Sequence, residues 1–390
     1  MATAGTPMPR PKRPRRKLIL VLVVAVLAYP IGSYTRALTY PGAASFAVRT
    51  VDWLREIGLG GVVNTVENWW YTRHPPSAAP PPAGSLPTAP PPLPSLGAGP
   101  RPADLPAQLP RLPGEGRWTP GASTAGGPVA DYTTFIRPDP AHASVVAGVA
   151  WINQSLVRAS LIAGTKEPGG SGWPEGARVP SGVRPALLAT FNAGFKFKDT
   201  AGGFYADGRT ARPLKDGAAS VVIDRSGRIS IAQWGRDATM SPAVRAVRQN
   251  LALVVDNGSA VPGLRANAVG RWGSASNQFQ YTWRSGLGTD RAGNLLYVAG
   301  DKLTLRTLAG AMVQAGIVRG MELDIHPGMV AFNAYRPDRP GSSPRKLLPA
   351  MPGSADRYLT ADQRDFFAIV LRGGAPPASA GVSPLSSLGA

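Results

Sequence analysis

The 390-residue chain contains no cysteine. Disulfides, thiolate metal ligands and a cysteine nucleophile are excluded at once. Histidine is nearly absent as well, with only His74, His142 and His326, too few imidazoles for a multi-histidine zinc centre. Acidic residues are scarce: 23 Asp and Glu stand against 42 Lys and Arg, a formal net charge of +19. Part of that excess is the cluster Arg10, Lys12, Arg13, Arg15, Arg16 and Lys17. Before residue 116 there are 12 basic and 5 acidic residues, and the remainder carries 30 against 18. Such a surplus suits an anionic partner such as a phosphate-containing glycan or an envelope polymer, although heavy Ala, Arg, Gly and Pro usage can also be genome composition. No basic run, basic helix or nucleic-acid-binding motif follows residue 116, so no nucleic acid partner is expected. Calcium-loop spacing and the Gly-x-Ser-x-Gly elbow are missing too. No metal and no cofactor is called for. Chemistry is left to carboxylates, Arg, Lys, hydroxyls, amides and at most one histidine.

Long apolar runs are rare, and one follows the basic cluster directly, from Leu18 to Ile31. Flanked this way it reads as a signal-anchor helix over 18–34, behind a basic cytoplasmic segment at 1–17. No small-x-small cleavage site follows; if the segment is cleaved, the product is secreted. The positive-inside rule places the rest of the chain outside the cytoplasm, tethered to the membrane by this helix. In the juxtamembrane segment 35–74, Val51, Leu54 and Ile57 mark a short amphipathic helix, and Trp69, Trp70 and Tyr71 suit a membrane interface or an ordinary helix equally. Residues 75–115 form a Pro-rich linker, with 15 prolines between Pro75 and Pro113. A sequence of this kind favours extended polyproline conformations and spans on the order of 100 Å at about 3.1 Å per residue. The tail at 373–390 has the composition of a disordered segment.

The folded domain is expected at 116–372, in the α+β class: a strand-rich mixed sheet with few helices. Ser144–Trp151 and Ser155–Ala163 read as an early strand pair. Ser220–Asp224 and Arg228–Ala232 flank one Gly-bearing turn, and Gly288–Asp290 and Asn294–Ala299 flank another. One helix stands out, with Thr304 as N-cap, an apolar face of Leu305, Leu308, Ala309, Met312 and Val313, and Gly316 past its end. Phe366–Leu371 reads as a last buried strand.

The helix feeds into Met321-Glu322-Leu323-Asp324-Ile325-His326, where apolar and ionisable residues alternate. On a regular strand Glu322, Asp324 and His326 share one face, and the two carboxylates lie roughly 7 Å apart. That separation falls within the roughly 5–9.5 Å used for glycosidic cleavage. The same alternation also describes a half-buried strand with a solvated face. Four more segments carry candidate groups: Thr190–Lys196 with Asn192 and Lys196, the Gly-rich Gly202–Arg209, Arg248–Gly258 with Asp256 and Asn257, and Trp283–Asp290 with Arg284.

Taken in order, these segments resemble the phosphodiester glycosidase family. The family's Asn-Gly-Gly-Phe is matched by Asn192, Ala193, Gly194 and Phe195. Its strand running into a Gly turn is matched by Leu253–Gly258, its Arg-Thr/Ser-x-x-Gly by Arg284, Ser285 and Gly288, and its helix followed by Leu-Asp-Gly-Gly by the 305–315 helix with Leu323 and Asp324. Ala193 replaces a glycine, and Ile325, His326 and Pro327 stand where the family has glycines and serine. The likeness covers roughly 130–371 and marks a divergent bacterial-type member. It implies hydrolysis of a sugar-1-phosphodiester or related envelope glycan, with Asp324 as leading carboxylate and Glu322 as second. Arg284, then Arg236 and Lys196, would meet the phosphate; Asn192 would meet sugar hydroxyls; Asp256, Asn257 and His326 would complete the binding set. The alternatives are a non-catalytic module for anionic cell-wall polysaccharide and a membrane-tethered scaffold that docks another protein.

Overall fold

The computed structural model describes residues 28–42, 44–87, 99–124, 127–266, 270–274 and 278–373. The expected anchor helix falls largely outside these residues, as does the tail beyond 373. Among the described residues no helix is long and apolar enough to cross a membrane.

Two compact units are distinguished, residues up to Tyr40 with Ser45–Val63, and Pro41–Ala44 with everything from Asn64 onward. In the first unit, residues 28–39 are helical and a second helix runs Phe46–Glu56. Ser45 caps that helix by accepting the Val48 N–H at 3.4 Å. The Tyr34 ring lies 4.7 Å from the Trp53 ring, and Trp53 Nε1 donates to Ser33 Oγ at 3.0 Å. A third helix, Gly60–Arg73, continues into the second unit.

The second unit is built from three sheets whose named strands all pair antiparallel, not from a mixed sheet. The largest has eight strands in the order Thr119–Pro120, Asp131–Ile136, Ala147–Ile152, Leu295–Leu303, Thr282–Thr289, Arg319–Ile325, Leu253–Asp256, Ser259–Ala260. A second runs Arg209–Arg212, Phe204–Ala206, Val244–Gln249, Ala219–Asp224, Ile229–Gln233. The third runs Arg345–Lys346, Phe332–Ala334, Leu187–Asn192, Phe366–Leu371, Val157–Ile162. The main core draws on all three sheets, with Leu287, Tyr297, Met321 and Leu323 meeting Phe191, Phe332, Phe367 and Val221.

Both expected hairpins form around left-handed glycines, Gly227 at φ +82° and Gly293 at φ +78°. The early strands Ala147–Ile152 and Val157–Ile162 do form, but they do not pair with each other. The first joins the eight-stranded sheet and the second pairs with Phe366–Leu371. At the crossing, Asn153 Oδ1 accepts the Ser155 N–H at 3.0 Å, while Gln154 donates to the Ile229 and Gly293 carbonyls and accepts the Ile229 N–H. These polar anchors let the chain change sheets where a tight turn would have made a hairpin.

The helix Leu305–Gln314 starts where expected, with Thr304 Oγ1 accepting the Thr307 N–H at 3.1 Å. It covers the face of the eight-stranded sheet opposite the main core. The approach is close because Gly286, Gly288 and Gly320 lack side chains: a Cβ at Gly286 would stand 2.6 Å from Met312 Sδ, and one at Gly288 2.3 Å from Ile317 Cγ2. The glycine of the Arg-Ser-x-x-Gly match therefore serves helix–sheet packing.

The described parts of the Pro-rich stretch lie against the second unit instead of standing away from it. Leu105 is buried, Leu86 and Leu112 pack on the cores, and the Ser77 carbonyl accepts the Ser144 N–H at 3.2 Å. Glu115 and Arg137 form a fully buried ion pair at 2.8 Å, and the Arg137 guanidinium also donates to the Gln108 and Pro110 carbonyls. Scattered leucines and these polar anchors hold a proline-rich chain down without regular structure.

Candidate active site

The acidic strand Arg319–Ile325 does not alternate to its end. Its register against Thr282–Thr289 shifts between Ser285, opposite Asp324, and Gly286, opposite Glu322. Leu323 is the extra residue of a β-bulge. Directly opposed residues on paired strands share a face. Glu322 therefore lies with Gly286 and Arg284 on the helix-covered face, while Asp324 lies with Ser285 on the face toward the other two sheets. The expected shared face for the two carboxylates is not formed. Asn250 holds the bulge in place, its Nδ2 donating to the Glu322 carbonyl at 2.8 Å and to the Leu323 carbonyl at 2.6 Å. Asn250 Oδ1 in turn accepts the Phe195 N–H at 3.1 Å.

Glu322 and Arg284 form an ion pair at 2.7 Å, with side chains 2 % and 1 % exposed. Arg284 Nε also donates to the Leu303 carbonyl at 2.8 Å. Desolvation raises the Glu322 pKa, opposed by the Arg284 charge. This pair is buried on the helix-covered face of the sheet, apart from Asp324 on the opposite face.

Asp324 has a different setting. Its Oδ2 accepts from Arg364 Nη2 at 2.9 Å and its Oδ1 from the Ile325 N–H at 2.8 Å. Desolvation pushes its carboxyl up to about 6, against the pull of the Arg364 charge, the Ile325 N–H and the Lys196 charge, with Asp199 adding a further upward push. Arg364 also donates to the Gly194 carbonyl at 2.6 Å, and Met329 Sδ lies 3.1 Å from its Nη1. Two further buried ion pairs support this end of the fold, Arg248–Asp365 at 2.6 Å and Arg357–Asp362 at 2.7 Å.

Asn192 comes to the same place through Ser285. Its Nδ2 donates to Ser285 Oγ at 3.1 Å, and its Oδ1 accepts from the Tyr297 hydroxyl at 2.9 Å and the Ala331 N–H at 3.2 Å. The Ser285 hydroxyl also accepts the Asp324 N–H at 3.3 Å. Asn192 is thus an internal strut that fixes the strand end carrying Asp324, its amide bonded through both Nδ2 and Oδ1. His326 sits just past the strand at φ +78°. Its Nδ1 is 3.3 Å from Thr282 Oγ1, its Nε2 is 3.7 Å from Glu67, and Tyr71 stacks on its ring at 5.3 Å. The 64–73 portion of the third helix covers this histidine.

Arg236, Asp256 and Asn257 are elsewhere. Arg236 pairs with Asp237 at 2.7 Å and Asp256 at 2.8 Å, and Asp256 also meets Arg319 at 3.2 Å. Arg319 opens the acidic strand, so this network lies about 16 Å from Asp324 by strand rise. Asn257 is an exposed left-handed turn residue at φ +50°.

Beside the bulge opens a cleft of about 820 Å³ with Asn250 on its wall. Lys198, Lys215 and Arg271 line it together with Asp199 and Asp216, and Gly202, Gly217, Gly270 and Gly273 supply close-lying backbone. The residues that sequence reading passed over are Arg364, Asn250, Tyr297 and these cations. Asp362-Gln363-Arg364-Asp365 directly before the apolar Phe366–Leu371 strand is a visible signal, since charges abutting a buried strand require partners. Asn250 belongs to a polar trio between apolar runs. Among the described residues no group of three or more His, Asp or Glu is placed to hold a metal ion.

No family model matches the sequence, and no curated protein matches it either. Solved structures do show likeness. The catalytic domain of the zebrafish N-acetylglucosamine-1-phosphodiester alpha-N-acetylglucosaminidase, auto-inhibited by its pro-peptide, is similar over 65 % of this chain and 87 % of its own, at 15 % identity and a TM-score of 0.41. A hypothetical protein from Synechocystis is similar over 62 % of each chain, at 12 % identity and a TM-score of 0.38.

Proposed function

We propose that the second unit is a hydrolase of a sugar-1-phosphodiester or a related envelope glycan linkage, with Asp324 as its working carboxylate. The observation that carries this reading is a desolvated carboxylate, raised to about 6 and gripped by Arg364, on a strand whose bulge is held by Asn250, itself a wall residue of a cation-lined cleft. A carboxylate near the operating pH is suited to proton transfer. In this scheme ionised Asp324 takes a proton from water as the water oxygen bonds to the anomeric carbon. The bond from that carbon to the phosphate oxygen breaks, and its electron pair leaves with the phosphate. Phosphate departs readily, so cations matter more than acid assistance, and Lys196, Lys198, Lys215 and Arg271 supply them. Arg364 keeps Asp324 oriented.

Binding of anionic polysaccharide without turnover is the second reading. It is favoured by one observation: Asn192, Ser285 and Arg284, three of the family-like positions, and the second carboxylate Glu322 are all engaged in internal contacts. The deciding experiment incubates the protein and its Asp324→Asn variant with a panel of sugar-1-phosphodiesters and measures free sugar. Release by the parent and loss in the variant, with binding retained, supports hydrolysis; no release from any member while binding persists leaves the binding module. Tethering to a membrane, with the second unit outside the cytoplasm, is part of the proposal. It draws support from the basic cluster before Leu18–Ile31 and from half-exposed Trp69 and Trp70, at 49 % and 47 %. Partition of the full chain into a detergent phase would test it.

A further inference from the structure

A second concave site lies away from Asp324, where the edges of two sheets meet. A cavity of about 440 Å³ opens between the Asp131–Ile136 strand of the eight-stranded sheet and the Phe332–Ala334 and Arg345–Lys346 strands of the third. From the acidic strand it is four strand spacings across the sheet, about 19 Å. None of its lining residues belongs to the candidate active site.

Its walls are cationic. Arg117, Arg339 and Arg345 are exposed on its rim, and none of the three has a side-chain ion pair among the described residues. The loop carrying Arg339 is fixed. Arg336 grips Asp338 through two hydrogen bonds at 2.9 and 2.7 Å, and Asp338 accepts the Ser123 N–H at 3.3 Å from across the cavity mouth. Within the loop, the Arg339 N–H donates to the Arg336 carbonyl at 2.9 Å and the Ser342 N–H to the Arg339 carbonyl at 3.1 Å. Lys346 Nζ is tied to the Met351 carbonyl at 2.7 Å, which pins the short strand that starts at Arg345. The three guanidiniums thus stand on braced backbone. Like charges gathered on a fixed frame repel one another, and a bound anion relieves that cost.

The carboxyl on the wall, Asp131, is 2 % exposed and accepts the Ala122 N–H at 2.7 Å. Burial pushes it up to about 7, opposed by the Ala122 N–H and the Arg336 charge and assisted by Asp338. Its negative charge is therefore reduced near neutrality, and it opposes an anion less than an exposed carboxylate would. Hydroxyls of Thr119, Thr133 and Ser342 alternate with the guanidiniums around the wall. Guanidinium forks match phosphate oxygens in pairs, and interspersed hydroxyls suit the alcohol groups of a sugar. The lining aromatics are Phe135, which is buried, and Tyr335, which is half-buried; neither is an exposed platform for successive bases, which disfavours single-stranded nucleic acid.

We propose that this cavity is a second binding site, for a phosphate-bearing glycan held by Arg117, Arg339 and Arg345 with the surrounding hydroxyls. It is independent of turnover at Asp324 and stands whether or not that reaction occurs.

The absence of cysteine makes a site-specific test direct. Ser342→Cys, carrying an environment-sensitive fluorophore, reports on this cavity in the full-length protein, and Asn257→Cys labelled in the same way serves as a distant control. Titration with glucose 1-phosphate is expected to give a saturable change at position 342 and none at 257. Glucose is expected to give no change, and inorganic phosphate a response at least about fivefold weaker in affinity. Arg339→Ala combined with Arg345→Ala should weaken the response about tenfold or more with an unaltered melting temperature. Arg345→Glu alone should weaken it similarly, and Asp324→Asn should leave it unchanged. The proposal is overturned by no saturable change at 342, by equal affinity for glucose or for inorganic phosphate, by tighter binding of oligodeoxythymidylate, or by a response lost in Asp324→Asn and kept in the arginine variants.

Discussion

Glu322 and Asp324 are two residues apart on one strand, and they occupy opposite sides of an eight-stranded sheet. On the helix side, Glu322 is sealed against Arg284 under glycines that admit Met312 and Ile317. On the other side, Asp324 meets Arg364 at 2.9 Å. Both carboxyls are raised by desolvation, but their environments ask different things of them. One is a structural counter-charge with its partner on the neighbouring strand. The other is placed by a network that converges from residues 192, 250, 285 and 364. Identical chemistry at nearly adjacent positions thus acquires separate tasks from a single bulged residue.

The sharpest way to break this comparison is to neutralise each carboxylate in turn. Asp324→Asn should lower turnover of a reactive sugar-1-phosphodiester by about 10²–10⁴, the range for positioned proton transfer, and keep a cooperative melt. Glu322→Gln should instead act on folding, costing about 3–5 kcal/mol because it strands a buried guanidinium, read by denaturant titration. A folded, fully stable Glu322→Gln enzyme without turnover would reverse the two assignments.

The helix-covered face can be probed next. Gly286→Ala places a methyl 2.6 Å from Met312 Sδ, and overpacking of this kind costs about 1–3 kcal/mol. Partial recovery in the double variant with Met312→Ala would locate the strain; equal loss in both would argue against helix contact as its cause.

The dependence on acidity is gentler. Asp324 and Asp131 have folded-state pKa values of about 6 and about 7, raised from the ordinary carboxylate value. For a raised acid, the folded state binds the proton more tightly than the unfolded one. Its contribution is fully present below the unfolded pKa and is lost as pH rises through the folded pKa. These two groups should therefore erode stability between about pH 4 and pH 7, and Asp131→Asn should flatten that decline when melting temperature is followed against pH. Turnover should run the other way, rising as pH passes about 6 and Asp324 ionises. A rate that falls through this range would recast Asp324 as a proton donor.

The smallest effect is expected at the far end of the acidic strand. Arg236→Ala removes a half-exposed ion-pair partner, and such pairs are worth about 0–1 kcal/mol. Turnover should not change. A tenfold loss there would mean that substrate extends along the whole strand.

Several elements were legible without coordinates. The two Gly-bearing hairpins, the Thr304-capped helix and the buried Phe366–Leu371 strand follow from local rules: turn chemistry, capping and periodicity act over a few residues. The separation of Ala147–Ile152 and Val157–Ile162 into different sheets was not legible, because the crossing at Asn153-Gln154-Ser155 looks like a turn until Gln154 meets Ile229 and Gly293. The Pro-rich stretch read as a spacer because composition does not reveal where Leu86, Leu105 and Glu115 find partners. Of the candidate site, Asp324 and Asn192 meet through Ser285, whose hydroxyl accepts from the Asn192 amide and from the Asp324 N–H. Arg284, expected at the phosphate, lies in a buried ion pair with Glu322 that nothing in its sequence neighbours announces, and Arg236, Asp256 and Asn257 belong to the other end of the strand.

By itself the sequence determined the chemical vocabulary: no thiol, too few imidazoles for a histidine cage, a cationic surface, and a strand offering two carboxylates. Local turns and the one long-capped helix also followed, since their causes lie within a few neighbouring residues. Only the tertiary structure decided which face of the sheet each carboxylate takes. That choice depends on a one-residue register shift held by the Asn250 amide, and on a guanidinium from the last strand's approach, both distant along the chain. A strand's faces exchange with every slipped residue, and no alternating pattern can say where the slip occurs.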